Sequence, residues 1–289
     1  MSGRSGRTSV IERAADDATR IADAAGVQVR LLDGMADLTA AMEAFRSIWG
    51  FPDGQAPISA ELLRAFAYAG GYVAGAYAGD RLIGASAGFL AGRQDAVHLH
   101  SHISGVVPTW QGRNVGLALK QHQRAWAVER GIDVIEWTFD PLVRRNAYFN
   151  LVKLGAEAVD FEPNFYGEMH DAINAGDETD RAVVHWFLRS DAAQAAVRGE
   201  LRRDDAAGRT VLRADQEGGP VVAQSDHGVL RAWVPEDAAR MRRRDPHLAR
   251  QWRTALRTTF GAAVAADYVA VSMSRDGWYT LVKAGSARL

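Results

Sequence analysis

The spacing of apolar side chains along the chain changes between the period of a helix and that of a strand. Stripes at helical spacing predict helices, which cover residues 9–25, 36–49, 59–69, 115–130 and 146–154. Short apolar or alternating runs predict strands, which cover residues 27–32, 72–78, 82–90, 96–107, 134–139, 156–161 and 182–188. Gly26 and Ser59 support two of these bounds, since Gly commonly ends a helix and Ser commonly caps one.

The order of these elements predicts an α/β (α+β) fold. A run of strands followed by strand–helix–strand crossovers indicates a mixed, mostly antiparallel sheet flanked by helices. We expect an N-terminal helix or tail over residues 1–26 and a main domain over 27–190. A smaller α+β unit over 191–289 would follow, with a helical connector at 191–205 and a long helix at 248–263.

Composition is that of an ordinary soluble globular protein, because 47% of the 289 residues are hydrophobic and 24% are charged. No apolar run approaches the ~20 residues that a membrane helix needs. The first residues lack the apolar core of a signal peptide, so we expect a cytoplasmic protein without a membrane partner. The sequence contains no cysteine, which excludes disulfides, thiolate-bound metals and a cysteine nucleophile.

Charge is distributed unevenly along the chain. Acidic residues outnumber basic ones over 1–190, whereas basic residues are in excess over 191–289. The densest basic run, over 240–244, is short and is followed at once by Asp245. Binding to nucleic acid requires clustered cations that neutralise phosphates, so this pattern argues against a nucleic-acid partner.

The stretch most informative about chemistry is the junction between the strand at 96–107 and the helix at 115–130. Pro108 ends the strand, a tight polar loop follows, and Gly116 and Ala118 leave the start of the helix without bulk. Free N–H groups and the helix dipole make such a helix start a site for a pyrophosphate. A plain strand–turn–helix junction, with glycine as punctuation, is the structural alternative.

Two motifs distinguish these interpretations. Gln111, Asn114 and Gly116 resemble the Q/R-x-x-G-x-G/A signature of the GNAT superfamily of N-acyltransferases, with Asn114 in place of a glycine. Asn tolerates a positive φ better than other non-Gly residues, so the loop can still form. The stretch 146–156 resembles the second motif of that family, and the resemblance covers roughly residues 27–190.

The resemblance implies an acyl-CoA cosubstrate, either acetyl-CoA or another short acyl-CoA such as succinyl-CoA. The backbone of Val106 and Val107 would hold the pantetheine arm like an added strand, and the Val107 N–H would polarise the thioester carbonyl. Asn146 and Asn150 would contact the cofactor from the second motif. The residues expected around the pyrophosphate are Gln111, Gly112, Arg113, Asn114, Val115, Gly116, Leu117 and Ala118.

The family's usual general acid is a tyrosine, and Leu151 occupies that position here. Tyr148 and Tyr166 are the substitutes, and Tyr166 belongs to a polar-aromatic loop of the kind that closes pockets. A thiolate needs little help to leave at neutral pH, so the reaction tolerates the loss. A buried tyrosine that makes one structural hydrogen bond is the alternative for either residue.

Candidates for the general base are His98, His100, His102, Glu136 and Asp140. The three histidines alternate on one strand and so share a face, and His102 is our first choice because it is nearest to Val107. A zinc site is an alternative, but we expect no metal since no carboxylate stands at ligand spacing. A structural histidine bonded to Ser101 or Ser104 is another.

These inferences predict an N-acyltransferase that acts on a primary amine of a small metabolite, with an amino acid among the acceptors considered. Arg144, Arg145 and Arg181 could clamp a carboxylate or phosphate. A non-catalytic GNAT-like module that senses or scaffolds acyl-CoA is the alternative, while a tRNA-dependent transferase is disfavoured by charge.

The extra unit over 191–289 is expected to be a lid or wall on the acceptor side. Its long helix carries an apolar stripe, which consists of Leu248, Trp252, Leu256, Thr259 and Phe260. Such a stripe requires a surface to cover it. The main domain or the partner in a homodimer would serve, and the sequence leaves the oligomeric state open.

Overall fold

Helices and strands follow the hydrophobic pattern closely along the chain. The structure is a computed structural model that describes residues 2–93, 96–169, 177–201 and 207–286. It divides into two compact units, Met1–Glu136 and Trp137–Leu289. The division falls inside one strand, Val134–Phe139, rather than near residue 190.

The first unit carries a mixed sheet. In its described part the elements are α1 Ser2–Ala24, β1 Gln28–Leu31, α2 Met35–Trp49, α3 Ala60–Tyr68, β2 Tyr72–Ala78, β3 Arg81–Arg93, β4 Ala96–Val106, a 3₁₀ turn Pro108–Trp110, α4 Val115–Glu129 and the first half of β5 Val134–Phe139. Strands β1 to β4 pair antiparallel in chain order, and β4 pairs with β5 in parallel. The mixed sheet predicted from the sequence is thus confirmed.

The core of this unit forms where α2 and α3 cover the sheet. Leu38 and Phe45 of α2 and Leu63 of α3 are fully buried against Ala85 and Ile103 of the strands. The spacing of Leu38 and Phe45 is that of two helical turns, so both point to the same side. Burying each of these large side chains stabilises the fold by roughly 1.5–3 kcal/mol.

Helix α1 packs on α4 through a stripe that includes Ala14, Ala18 and Ile21. The helix begins at Ser2, so the start predicted at Ser9 was wrong. Ser9 does not cap the helix but lies inside it, where its Oγ accepts a hydrogen bond of 3.2 Å from Arg13. The segment predicted as a helix or tail therefore belongs to the first unit.

The second unit carries the remaining elements. In its described part these are the end of β5, α5 Arg144–Ala147, a π-helical turn Tyr148–Lys153, β6 Glu157–Glu162, β7 Arg181–Phe187, α6 Asp191–Val197, β8 Arg209–Ala214, β9 Pro220–Val222, β10 Val229–Trp233, α7 Ala238–Arg244, α8 Pro246–Ala265, β11 Tyr268–Met273, β12 Trp278–Lys283 and a 3₁₀ turn Ala284–Ser286. Among the described helices of the chain, none has both the length and the apolar character needed to cross a membrane.

Strands of the C-terminal segment extend the sheet of the second unit, in the order β7-β6-β11-β12-β10-β8-β9. Ala270 of β11 pairs with Ala158 of β6, so the segment over 191–289 is built into the same sheet as the end of the GNAT-like region. The predicted stripe of the long helix is buried at Trp252, Leu256 and other positions. Helix α6 accounts for the start of the predicted connector, whose residues 202–205 lie outside the described part.

The helix predicted at 146–154 takes a different form. A single α-turn, Arg144–Ala147, passes into the π-helical turn Tyr148–Lys153. The wider turn is visible in the hydrogen bond of 3.1 Å from Leu154 N to Phe149 O, which spans five residues. Such turns occur often at functional sites, and periodicity alone does not distinguish them from an α-helix.

Candidate active site

The strand end that should hold the pantetheine arm is bonded to the neighbouring strand β3. Val107 N donates a hydrogen bond of 3.0 Å to Ile83 O of β3. Its N–H is therefore not free to polarise a thioester, and that predicted role was wrong. Successive residues of a strand direct their N–H groups to opposite edges, so Val106 presents its N–H to the other edge. Gln111 Nε2 donates to Val106 O at 3.1 Å and ties the loop to the strand.

The predicted phosphate loop has the backbone that an anion site requires. Gly112 has φ 80° and Asn114 has φ 61° and ψ 12°, so both adopt the left-handed conformation. The prediction that Asn114 could replace glycine at a positive φ is confirmed. A side chain at Gly112 would extend into open space, so the positive φ, rather than crowding, accounts for glycine there.

The first turn of α4 offers donors to a ligand. Ala118 N bonds to Asn114 O at 3.0 Å and closes the first helical turn. The N–H groups of Val115, Gly116 and Leu117 precede that bond and have no acceptor within the helix. In the described part of the chain, Asn114 makes no side-chain cap for them. Together with the helix dipole, these groups fit a pyrophosphate.

The loop also carries a cationic side chain. The Arg113 guanidinium carbon is 4.9 Å from the centre of the Trp110 ring, and Arg113 is exposed. Stacking on an aromatic face restrains the guanidinium without neutralising its charge. The loop thus combines backbone donors with a positive side chain.

Two of the histidines of β4 lie against Phe89. The His100 ring stacks on Phe89 at a centroid distance of 4.9 Å, and the His102 ring lies 6.1 Å from the same side chain. The register of β4 against β3 shifts at Phe89, so that Ser101 and His102 together oppose a single residue of β3. This bulge changes the direction of the strand next to the candidate base.

Glu136 joins this row. Its Oε1 lies 3.3 Å from His100 Nδ1 and 3.8 Å from His98 Nε2. The pKa of His102 is lowered by desolvation and by the nearby charge of His100. In the described part of the chain, no group of three His, Cys, Asp or Glu side chains could hold a metal ion.

Asp140, a candidate base in the second unit, has another partner. Arg253 Nη1 and Nη2 of α8 donate to its two oxygens, each at 2.8 Å, and Arg253 Nη2 also reaches Asp177 at 2.8 Å. Burial raises the pKa of Asp140, but the bonds to Arg253 outweigh this and lower it. Asp140 is a paired anion, so the base role considered for it is disfavoured.

The predicted tyrosines also lie in the second unit. Tyr166 is partly exposed, its Oη is 3.3 Å from Thr138 Oγ1, and the Arg181 guanidinium carbon is 5.2 Å from its ring centre. Thr179 Oγ1 accepts from Tyr166 N at 3.0 Å and fixes the loop. Tyr148 is half-buried on the π-helical turn.

The remaining predicted residues of this unit differ in exposure. Asn146 is exposed, whereas Asn150 is buried. Arg144, a predicted clamp, donates two hydrogen bonds to Val234 O and stacks on Trp233 at 4.8 Å, so it is engaged within the unit. Arg145 is exposed.

One buried polar cluster does not follow from the sequence patterns. Lys120 Nζ donates to Ser101 Oγ at 2.9 Å and to Gln123 Oε1 at 3.1 Å, and Gln123 Nε2 reaches Ser86 Oγ at 3.4 Å. Burial lowers the pKa of Lys120 to about 7. The one signal in the sequence is the interruption of the apolar stripe of α4 by Lys120 and Gln123.

Comparison with known proteins gives one family match. A family model described as an acetyltransferase (GNAT) domain matches residues 7–149, which contain β1 to β5, α4 and the phosphate loop. A search of curated proteins gives no match.

Solved structures give weaker similarities. Naa50 of Arabidopsis thaliana, in complex with the bisubstrate analogue CoA-Ac-MVNAL, is 20% identical over 55% of this chain and 97% of its own, with a TM-score of 0.43. The ribosomal-protein-S18-alanine N-acetyltransferase of Escherichia coli is 16% identical over 55% and 92%, with a TM-score of 0.43. An aminoglycoside acetyltransferase from an uncultured soil metagenomic sample, in complex with sisomicin, is 14% identical over 40% and 78%, with a TM-score of 0.36.

At such low similarity these structures carry no argument about activity. The family match and the two motifs within this chain are what identify it. Residues 7–149 of the chain form an acetyltransferase domain of the GNAT type, and the protein is an acyl-transferring enzyme of that type.

Proposed function

We propose that the enzyme transfers an acetyl or related short acyl group from acyl-CoA to a primary amine of a small molecule. The amine nitrogen attacks the thioester carbon, an N–C bond forms, and the C–S bond breaks. One amine proton goes to a general base, and the thiolate leaves or takes a proton from an acid. An amino acid is one of the acceptors that this proposal includes.

The observation that carries the proposal is the start of α4. Left-handed Gly112 and Asn114 turn the loop so that the free N–H groups of residues 115–117 precede the first helical bond. This arrangement supports a pyrophosphate at the loop and a pantetheine arm along the outward edge of Val106. Arg113 completes the proposed cradle with its positive side chain, while Gln111 holds the loop against Val106. Ala118, which the sequence placed among the donors, is not one because its N–H is bonded to Asn114 O.

The remaining assignments rest on sequence motifs. Asn146 and Asn150 are proposed cofactor contacts on the second motif alone. Tyr166, or else Tyr148, is the proposed acid because Leu151 cannot serve. The β4 histidines supply the proposed base, with His102 favoured by its position in the sequence.

The competing proposal is a GNAT-like module that binds acyl-CoA without turnover. Leu151 favours it, since the side chain that usually protonates the thiolate is missing. Both proposals require CoA binding, so binding alone does not separate them. Consumption of the thioester in the presence of amines does.

The experiment measures the melting temperature with and without CoA. A ligand at 100 times its dissociation constant stabilises the folded state by about 2.7 kcal/mol. Gly116→Val should abolish the shift because its side chain blocks the approach of phosphate to the backbone. Gly34→Val is the matched control, since Gly34 has an extended backbone and open space around it.

A folded Gly116→Val protein that keeps the full shift would refute the proposed cradle. Acetyl-CoA is then incubated with a panel of primary amines, and free thiol is measured. Amine-dependent release of thiol supports the transferase. CoA binding without release from any amine supports the sensor.

A further inference from the structure

Glu136 and His100 form a carboxylate–imidazole pair between neighbouring strands of the first unit. Parallel pairing of β4 with β5 sets His100 directly opposite Glu136, and their side chains approach to 3.3 Å through Nδ1 and Oε1. The two side chains are 16% and 18% exposed, so both are shielded but reachable. This pair depends on the register of two strands and is therefore invisible in the sequence.

The surroundings hold the imidazole in one orientation. Phe89 stacks on one face of the His100 ring with an interplanar angle of 29°, and Glu136 Oε1 contacts the ring at Nδ1. When Nδ1–H donates to the carboxylate, the lone pair of the neutral ring resides on Nε2. A ring fixed on one face and one edge presents that nitrogen in a constant direction, as a general base requires.

The pair also lies where an acyl group would arrive. Residues 101–106 of β4 continue from His100 to the phosphate loop, and six residues of strand span roughly 20 Å. A pantetheine arm that follows the outward edge of Val106 back along β4 therefore runs toward His100. The bulge at Ser101 and His102 lies on this path and bends the strand at that point.

We propose that His100, oriented by Glu136, is the general base for the acceptor amine. This inference rests on the proposed function and assigns its proton acceptor. As the N–C bond forms and the C–S bond breaks, the amine proton passes to His100 Nε2. The Glu136 carboxylate stays ionised, stabilises the imidazolium, and the proton then leaves to solvent.

His102, which the sequence favours, is less suited to this step. It lies in the bulge, 6.3 Å from the His100 ring, and among the described residues no carboxylate pairs with it as Glu136 pairs with His100. His98 Nε2 lies 3.8 Å from Oε1 of Glu136, beyond hydrogen-bond distance, so His100 is the histidine that the carboxylate orients.

The kinetic test uses acetyl-CoA and whichever amine of a defined panel (glycine, ethanolamine, tyramine, spermidine) the wild type acetylates fastest. His100→Gln should lower kcat by roughly 10²-fold or more. Glu136→Gln should lower kcat on the order of 10²-fold, the lower end of what general base catalysis contributes, by weakening the orientation and charge of the ring. The KM for acetyl-CoA should change far less than kcat in both, because neither side chain belongs to the phosphate loop.

His102→Gln should lose less of kcat than His100→Gln. Val97→Thr, at an exposed position of the same strand, is the control for changes to β4. Loss of turnover in His102→Gln with retention in His100→Gln would overturn the proposal. Retention of turnover in both variants would also overturn the proposal. It would leave the proposed function intact, because the wild type would still transfer the acyl group.

A second measurement needs no acceptor. Nitrogen-15 NMR of the neutral histidines should give the Nδ1–H tautomer for His100 in the wild type, and Glu136→Gln should alter that signature. The Nε2–H tautomer in the wild type would overturn the pair even if no amine of the panel were acetylated. Absence of all acyl transfer with the Nδ1–H tautomer intact would instead count against the proposed function.

Discussion

Lys120 Nζ of α4 donates a hydrogen bond of 2.9 Å to Ser101 Oγ of β4, and both side chains are buried. The bond joins the helix that follows the phosphate loop to the strand that carries His100 and His102. A charged amine at this depth loses hydration, which lowers the pKa of Lys120 from 10.5 to about 7.

This burial makes the stability of the fold depend on pH. Between pH 7 and 10.5 the unfolded chain keeps a proton on Lys120 that the folded chain has released, so a rise in pH through this window favours folding. Urea unfolding at several pH values should therefore show a contribution of Lys120 to the free energy of unfolding that rises with pH. Lys120→Met should remove that component and Lys153→Met should not. Equal slopes for the wild type and Lys120→Met would contradict the assignment.

Asn114 is predicted to be replaceable by glycine but not by a β-branched residue. Its φ of 61° costs an ordinary L-residue roughly 1–2 kcal/mol, and glycine avoids this cost. Asn114→Gly should keep both the melting temperature and the shift with CoA. Asn114→Val should lower both, as measured by thermal unfolding with and without CoA. A full CoA shift in Asn114→Val would mean that the left-handed turn is not required for binding.

Arg253 is predicted to stabilise the second unit through Asp140 and Asp177. The guanidinium is 2% exposed, and its removal leaves two carboxylates without their shared cation. Arg253→Met should lower the free energy of unfolding by about 3–5 kcal/mol in urea. Arg250→Met, at an exposed position of the same helix, is the control and should have little effect. A small loss in Arg253→Met would show that the network is not a main source of stability.

Truncation after Leu188 is predicted to unfold the second unit rather than simply to open an acceptor site. The cut removes Arg253, the partner strand of β6 and Tyr279, whose Oη donates to Pro141 O at 2.7 Å. A hydrophobic dye should bind the product, and cooperative unfolding should be lost. Truncation after Lys283 is the control. A soluble, cooperatively folding product would support the separate lid expected from the sequence.

Local features could be predicted from the sequence because their causes are local. The helix start at Val115 and the left-handed Asn114 follow from a few neighbouring residues, and both are confirmed. Strand and helix bounds such as those of β2 and α2 follow from periodicity in the same way. The backbone of the phosphate loop is therefore predictable from the residues that form it.

Features that depend on register or distant contacts could not be predicted. The sequence alone could not foresee that Val107 N bonds to Ile83, because that depends on how β4 aligns with β3. Asp140 resembled a free carboxylate because its partner, Arg253, lies 113 residues further on. The same limit concealed the approach of Glu136 to His100.

The 113 residues that separate Asp140 from Arg253 have a consequence for the order in which the protein is made. The strands β1 to β4 have all been synthesised by residue 106, so the first unit has most of its sheet while translation continues. The second unit, by contrast, must wait for Arg253 and for β11 before Asp140 and the edge of β6 are satisfied. At ribosomal rates of about 5–20 residues per second, that edge stays open for several seconds in every nascent chain. During this interval the unpaired edge of β6 is a template on which another chain could pair.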